Sequence, residues 1–195
     1  KENINRLLPI FSPHLSTLNS MSRSHEDWIF DNILQPFIGK LFPIDEAIQT
    51  IEKEFDIYSV SPNFMTDWRW YKDIHGEQEN YNGKAIEQYK MNVHNFLDYR
   101  HVSEARPVQS NEKIIDTCNL IFDQIIDFEN NKNDDYLNDI LNHLSKLKEM
   151  IKTFSPETYK ALDDYCNAIA EKNYSNLGSF IPFFGRGQQF ISFTK

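Results

Sequence analysis

The chain has 195 residues, of which 40% are hydrophobic and 25% charged, an ordinary soluble composition; a globule of this size can bury roughly 70% of its unfolded surface and needs no staples. Its formal net charge is −9, and no run of lysines or arginines supplies the basic face that a grip on phosphate backbones requires, so nucleic acid is not an expected partner. No apolar stretch approaches the ~18 residues of a membrane span, and there is no signal-peptide pattern. Cys118 and Cys166 are the only cysteines. Without paired spacing they read as small buried side chains in a reducing, cytoplasmic compartment. The chain opens on Lys1, as a piece of something longer would.

In chain order, residues 1–40 read as short helices. SPHLSTLNSM suggests a turn and a half that starts at Ser12 before Pro13. SRSHEDWIFDNILQPF follows, with Ser24 as N-cap, Glu26 and Asp27 on the positive end of the helix dipole, and Pro36 as its end. PIDEAIQTIEKEF repeats apolar residues at Ile44, Ala47, Ile48, Ile51 and Phe55, a helix that runs straight into the β-branched strand DIYSVSP. After the ring-rich DWRWYKD and a polar linker come four amphipathic patterns. The first, GKAIEQYKMNVHNFLDYR, places Ile86, Tyr89, Val93, Phe96 and Leu97 on one face. SNEKIIDTCNLIFDQIIDFE and DDYLNDILNHLSKLKEMIKTF follow. SPETYKALDDYCNAIAEK is the fourth, with Ser155 and Pro156 as start signals. QQFISFT, after Gly185 and Gly187, reads as a second strand. Two strands alone make a marginal sheet, so DIYSV and QQFISFT look like the edge of a larger one.

The series HEDWIFDNIL, PIDEAIQTIEKEFDIYSVSPNF, DWRWYKDI, NVHNFLDYR and GRGQQFISF resembles the C-terminal portion of bacterial class I S-adenosylmethionine-dependent methyltransferases. In that fold the last two strands form a hairpin at the edge of a mostly parallel, Rossmann-like sheet. The resemblance implies a mainly α chain with a small β component: a bundle-like helical insertion attached to the edge strands of an α/β sheet. It divides the chain into residues 1–62 (helices plus a strand), 63–187 (junction loop and insertion) and 188–195 (the terminal strand). It also implies a small-molecule methyl acceptor, and S-adenosylmethionine as the cofactor of the parent protein. The glycine-rich turn after a first strand that would hold that cofactor is missing here, so none is expected to bind this chain alone. The other reading, from a different class, is a non-catalytic helical module whose faces bind a protein partner or a second copy of the chain through the helical block.

Three groups of residues invite a chemical reading. In DWRWYKD, Trp68 and Trp70 offer rings, Arg69 and Lys72 offer charge for an anionic or polyhydroxy group, and Asp67 or Tyr71 could take a proton; equally, the rings could anchor the insertion while the charges pair with one another. Arg100 falls on the apolar stripe of Tyr89, Val93 and Phe96, so it is either paired with a buried acid or an anion clamp lined by Asn92, Asn95 and Tyr99. His94, Asp98 and His101, at i, i+4 and i+7, share one helix face; a solvated face accounts for them more simply than a metal site.

Overall fold

Three apolar clusters organise the chain. The computed structural model describes residues 2–16, 20–35, 42–61, 80–98, 100–173, 177–183 and 190–195 (of His14, the backbone only), and these are mainly helical with a small antiparallel sheet. Helix α1 (Glu2–Leu15) packs on α2 (His25–Ile29), which continues as a π-helical turn over Phe30–Leu34. Phe11, Leu15, Trp28 and Ile29 form their shared core. Ser24 caps α2 as its residue type requires, its hydroxyl accepting from the Asp27 amide at 3.1 Å.

Helix α1 departs from the reading of its sequence. It starts ten residues before Ser12 and carries both Pro9 and Pro13 inside it. Each proline removes one helical hydrogen bond and crowds the preceding turn. The helix persists because Leu7, Leu8, Phe11 and Leu15 lie on one side of it, against α2 and the turn that follows; that burial outweighs the local defects.

The second cluster holds the sheet. Helix α3 (Ile44–Ile51) buries Ile44 and Ile48, strand β1 (Asp56–Ser61) buries Ile57 and Val60, and helix α4 (Tyr81–Asn92) adds Ala85 and Tyr89. Strand β2 (Phe190–Thr194) pairs antiparallel with β1, from Asp56↔Thr194 to Ser61↔Phe190. A bulge between Ile57 and Ser59 leaves Tyr58 as the extra residue. Ile191 and Phe193 of β2 face the same core as Ile57 and Val60, whereas Tyr58 and Phe190 are 60% and 66% exposed.

One side chain fixes the start of β1. Buried Asn82 accepts from the Ile57 amide at 2.8 Å and donates to the Phe55 carbonyl at 2.9 Å, acting as a neighbouring strand would.

The third cluster is the bundle. Helices α5 (Val108–Asn131), α6 (Asp135–Ile151) and α7 (Pro156–Ala170) bury Ile114, Ile140, Leu144, Leu147, Ile151, Leu162 and Cys166 together. The turn between α5 and α6 is closed by Lys132 in the left-handed region at φ 52°, its amide bonded to the Phe128 carbonyl. Both cysteines are free, and burial raises both thiols, Cys118 to about 11. No helix is long and apolar enough to cross a membrane among the described residues.

Replacing Asn82 by alanine leaves the Ile57 amide and the Phe55 carbonyl without their partner. We expect a loss of about 2–3 kcal/mol in urea unfolding, against an Asn80→Ala control that removes only the exposed cap on Gly83. Equal effects of the two would show that the edge of β1 does not depend on Asn82.

Candidate functional site

The first of the four amphipathic patterns in the sequence, GKAIEQYKMNVHNFLDYR, is not one helix. α4 stops at Asn92, whose backbone sits at φ −114°, ψ 1° and whose side chain donates back to the Gln88 carbonyl at 2.8 Å. The next four residues, Val93–Phe96, tighten into a 3₁₀ turn. That shift changes where every later side chain points. Phe96 still packs with the sheet cluster, but Leu97 packs with the bundle, so the chain crosses from one core to the other between two adjacent residues. Arg100 is therefore not on the Tyr89–Val93–Phe96 stripe, and the helical wheel that placed it there ends at Asn92.

Arg100 meets Asp98 instead. The Asp98 side chain is 2% exposed and accepts from the Arg100 backbone amide at 3.0 Å, from Nε at 2.8 Å and from Nη2 at 2.6 Å. The Thr158 hydroxyl, from the first turn of α7, donates to the same carboxylate at 3.0 Å. Because Thr158 spends its proton there, the Ser155 hydroxyl is the donor in the Ser155–Thr158 contact. Burial by itself would raise the Asp98 carboxyl. The Arg100 and Thr158 donors outweigh it, and the carboxyl is held below its ordinary value.

Arg100 extends the network to the C-terminal side. Its Nη1 donates to the Ser179 carbonyl at 3.3 Å, and its guanidinium lies 5.7 Å from the centre of the Phe183 ring. Ser179 and Phe183 belong to a second 3₁₀ turn, Gly178–Phe183, docked on α7 by two further contacts. Phe180 stacks on Tyr165 with ring centres 4.1 Å apart, and Asp164 accepts from the Ser179 amide at 2.7 Å. Gly178, at φ 51°, leaves room for that carboxylate where a Cβ would collide with it.

His94 and Asn95 hold the other half of the connector that leads to α5. Asn95 accepts from the Ser103 amide at 2.8 Å and donates to the Ser103 carbonyl at 2.9 Å. His94 is 4% exposed. Its Nε2 lies 3.1 Å from the Glu104 carbonyl and its Nδ1 lies 3.1 Å from Nδ2 of Asn111 on α5. A carbonyl can only accept and an amide nitrogen can only donate, so the ring is neutral with its proton on Nε2. Burial, and then the Arg106 guanidinium, keep it so by lowering its pKa. Arg106 packs 3.8 Å over the Phe154 ring, and His94 stands perpendicular to that same ring at 5.4 Å.

Of the candidate residues named from sequence, the structure brings Asn92, Asn95 and Arg100 into this one region. Their polar groups are engaged there: Asn92 with the Gln88 carbonyl and Asn95, Asn95 with Ser103, and Arg100 with Asp98 and the Ser179 carbonyl. Asp67, Trp68, Arg69, Trp70, Tyr71, Lys72 and Tyr99 lie outside the described residues. His94, Asp98, His101, Ser103, Phe154 and Thr158 line a crevice that closes too tightly to admit a water molecule. Among the described residues no group of three or more His, Cys, Asp or Glu side chains is placed to hold a metal ion. Asn111, Thr158 and Arg106 were not singled out from sequence. An asparagine and a threonine on helices look like any solvated positions until their partners are known. Compared with protein-family models, with curated proteins and with solved structures, the chain matches none.

The Asp98 network sets a measurable cost. Asp98→Ala strands a guanidinium and a hydroxyl, and we expect a loss of about 3–5 kcal/mol, at the low end because water reaches Arg100. The pH dependence has a definite sign. A carboxyl with a folded pKa below its unfolded value of 3.8 adds stability that is full above pH 4 and is lost as pH falls through the folded value. Urea midpoints measured from pH 5 to pH 2.5 should fall more steeply for the native chain than for Asp98→Asn. Parallel curves would remove Asp98 from the account of acid stability.

Proposed function

We propose that the chain is the C-terminal, substrate-recognising part of a protein resembling class I S-adenosylmethionine-dependent methyltransferases, acting on a small-molecule acceptor. The observation that carries this reading is the antiparallel pairing of β1 with β2 across a long helical stretch, the relation that the last two strands of that fold have to each other. Asn82 occupies backbone groups at the outer edge of β1. In this reading, then, the larger Rossmann-like sheet continues past β2. The exposure of Tyr58 and Phe190 fits a sheet face that further elements cover, since sheets of this kind are buried on both faces.

The chemistry of such a protein is transfer of a methyl group from the sulfonium of the cofactor to an oxygen or nitrogen nucleophile, in line and with release of the neutral thioether. Proximity and alignment supply most of the acceleration, and at most one base is needed. Recognition of the acceptor rests, in this reading, on the Asp67–Lys72 stretch, with Arg69 and Lys72 for charge and Tyr71 or Asp67 for the proton. Arg100 is engaged by Asp98 and acts by fixing the connector. The other reading, a helical interaction module, draws on Leu120 and Ile125, which are 46% and 40% exposed on α5.

Calorimetric titration separates the two. The 195-residue chain should give no binding heat with S-adenosylmethionine, while a parent chain that carries an upstream strand and glycine-rich turn should bind it. Micromolar binding by the 195 residues alone would overturn the expectation that the cofactor site lies outside them, and a parent chain without such a turn would overturn the methyltransferase reading in favour of the interaction module.

A further inference from the structure

The region around His94 is built in a way that a fixed scaffold does not need. Apart from Glu104 and Asn111, the ring contacts Phe154 of the α6–α7 turn, so it joins three separate elements. Asn111 is fully buried, and its Nδ2 donates to the Lys90 carbonyl at 2.8 Å as well as to His94. That second bond pins the orientation of the amide. Turning it to offer Oδ1 to a protonated ring would set an oxygen against the Lys90 carbonyl. A proton on Nδ1 therefore faces a donor that cannot turn away.

The charged surroundings offer no relief. From the connector, Arg106 is a cation and repels a protonated ring. Asp98 lines the same crevice, but its carboxylate is taken up by Arg100 and Thr158. His101 is exposed and on the connector itself. From α5 the facing group is the neutral Asn111. From the α6–α7 side the facing groups are Phe154, Ser155 and Thr158, none of them charged.

The connector 100–107 is the element that would move. It has no regular secondary structure, and His101, Val102, Glu104, Ala105 and Pro107 are exposed. Its tethers to the 3₁₀ turn and α4 are few: the Ser103–Asn95 bonds, the Glu104 carbonyl on His94, and the Arg106 amide on the Met91 carbonyl at 2.9 Å. Arg100 at one end is held by Asp98 and the Ser179 carbonyl and Arg106 packs over Phe154, so the lightly held part is the stretch between them, 101–105, and such a stretch opens locally at far lower cost than a packed bundle does.

We propose that His94 is an acid-operated latch, whose protonation drives the ring from its slot against Asn111 and Phe154 and releases the 101–105 stretch of the connector while helices α5–α7 stay folded. The sign follows from linkage. An open connector leaves the imidazole free to titrate near 6.5, and the closed one binds the proton more weakly. Below that pH the open form takes up the proton first, and opening gains about tenfold per pH unit until the closed form also titrates.

Amide hydrogen exchange of the full chain from pH 7.5 to pH 5, corrected for the intrinsic pH dependence of exchange, reads this directly. Protection of the Ser103 and Arg106 amides should fall about tenfold per unit below roughly pH 6.5, with α6 unchanged as the internal standard. His94→Gln should abolish the pH dependence. If that variant does not fold, Arg106→Gln provides the test: without the cation beside it the closed imidazole binds its proton more readily, and the pH-dependent range should shrink. Protection that is constant with pH, that persists in its pH dependence in His94→Gln, that is unchanged in range in Arg106→Gln, or that falls together in the connector and α6, would each overturn the latch.

Discussion

A carboxylate that is almost wholly out of water, as that of Asp98 is, has to be surrounded by donors or the local fold cannot form. Its donors come from two places. Arg100, two residues on, wraps back to supply its amide and guanidinium, and Thr158 reaches in from the start of α7. Through Arg100 the same charge reaches the Ser179 carbonyl. One ionised group thereby sets the relative placement of the connector, the bundle and the 178–183 turn. The turn also rests against α1, so this constraint extends to the N-terminal helices.

What makes this point critical is the change of core beside it. Phe96 belongs to the sheet cluster and Leu97 to the bundle, so no stretch of helix carries the chain from one to the other. Apolar burial is non-directional and cannot by itself fix how two clusters are joined. Hydrogen bonds with defined geometry can, and the junction is accordingly dense in them: Asn92, Asn95, His94 and Asp98 are all engaged within seven residues. The bundle core needs nothing similar. It is built of apolar side chains, and burial raises its two thiols.

The parts of this architecture that were legible in sequence are those that depend on period and on single-residue chemistry. The stripes of α5, α6 and α7 repeat over four to six turns, so their helices and apolar faces were readable from Ile114, Leu144 or Leu162 alone. Ser24 with Glu26 and Asp27 marked a helix start, and the run DIYSV marked β1. What escaped notice depends on contacts between distant residues. The continuation of α1 through Pro9 and Pro13 needs α2 to bury it. The break at Asn92 lies inside a pattern whose apolar spacing continues unbroken, so period alone extends the helix too far and sends Arg100 to the wrong face. Asn82 and Asn111 give no signal at all, because nothing in sequence distinguishes a buried amide that replaces a strand from one in solvent. Of the candidate site, the Arg100–acid pair was one of the two readings available, although its partner, two residues away, was not named.

The two strands of the small sheet are held in different ways. A strand edge with free backbone groups invites pairing, and proteins block such edges where pairing is unwanted. Here β1 has Asn82 bonded to its first turn of backbone and α3 and α4 packed beneath it. β2 has five residues, alternating exposed and half-buried, with none fully buried. A strand so lightly covered contributes little burial of its own, and a two-stranded ladder is marginal in water. The helical stretch between the strands folds through contacts that are local in sequence, α5 on α6 and α6 on α7. It brings β2 back to β1 without needing a strong strand pair to close the loop. The bundle thus does what the strand pair alone cannot: it holds a lightly covered strand in register against β1.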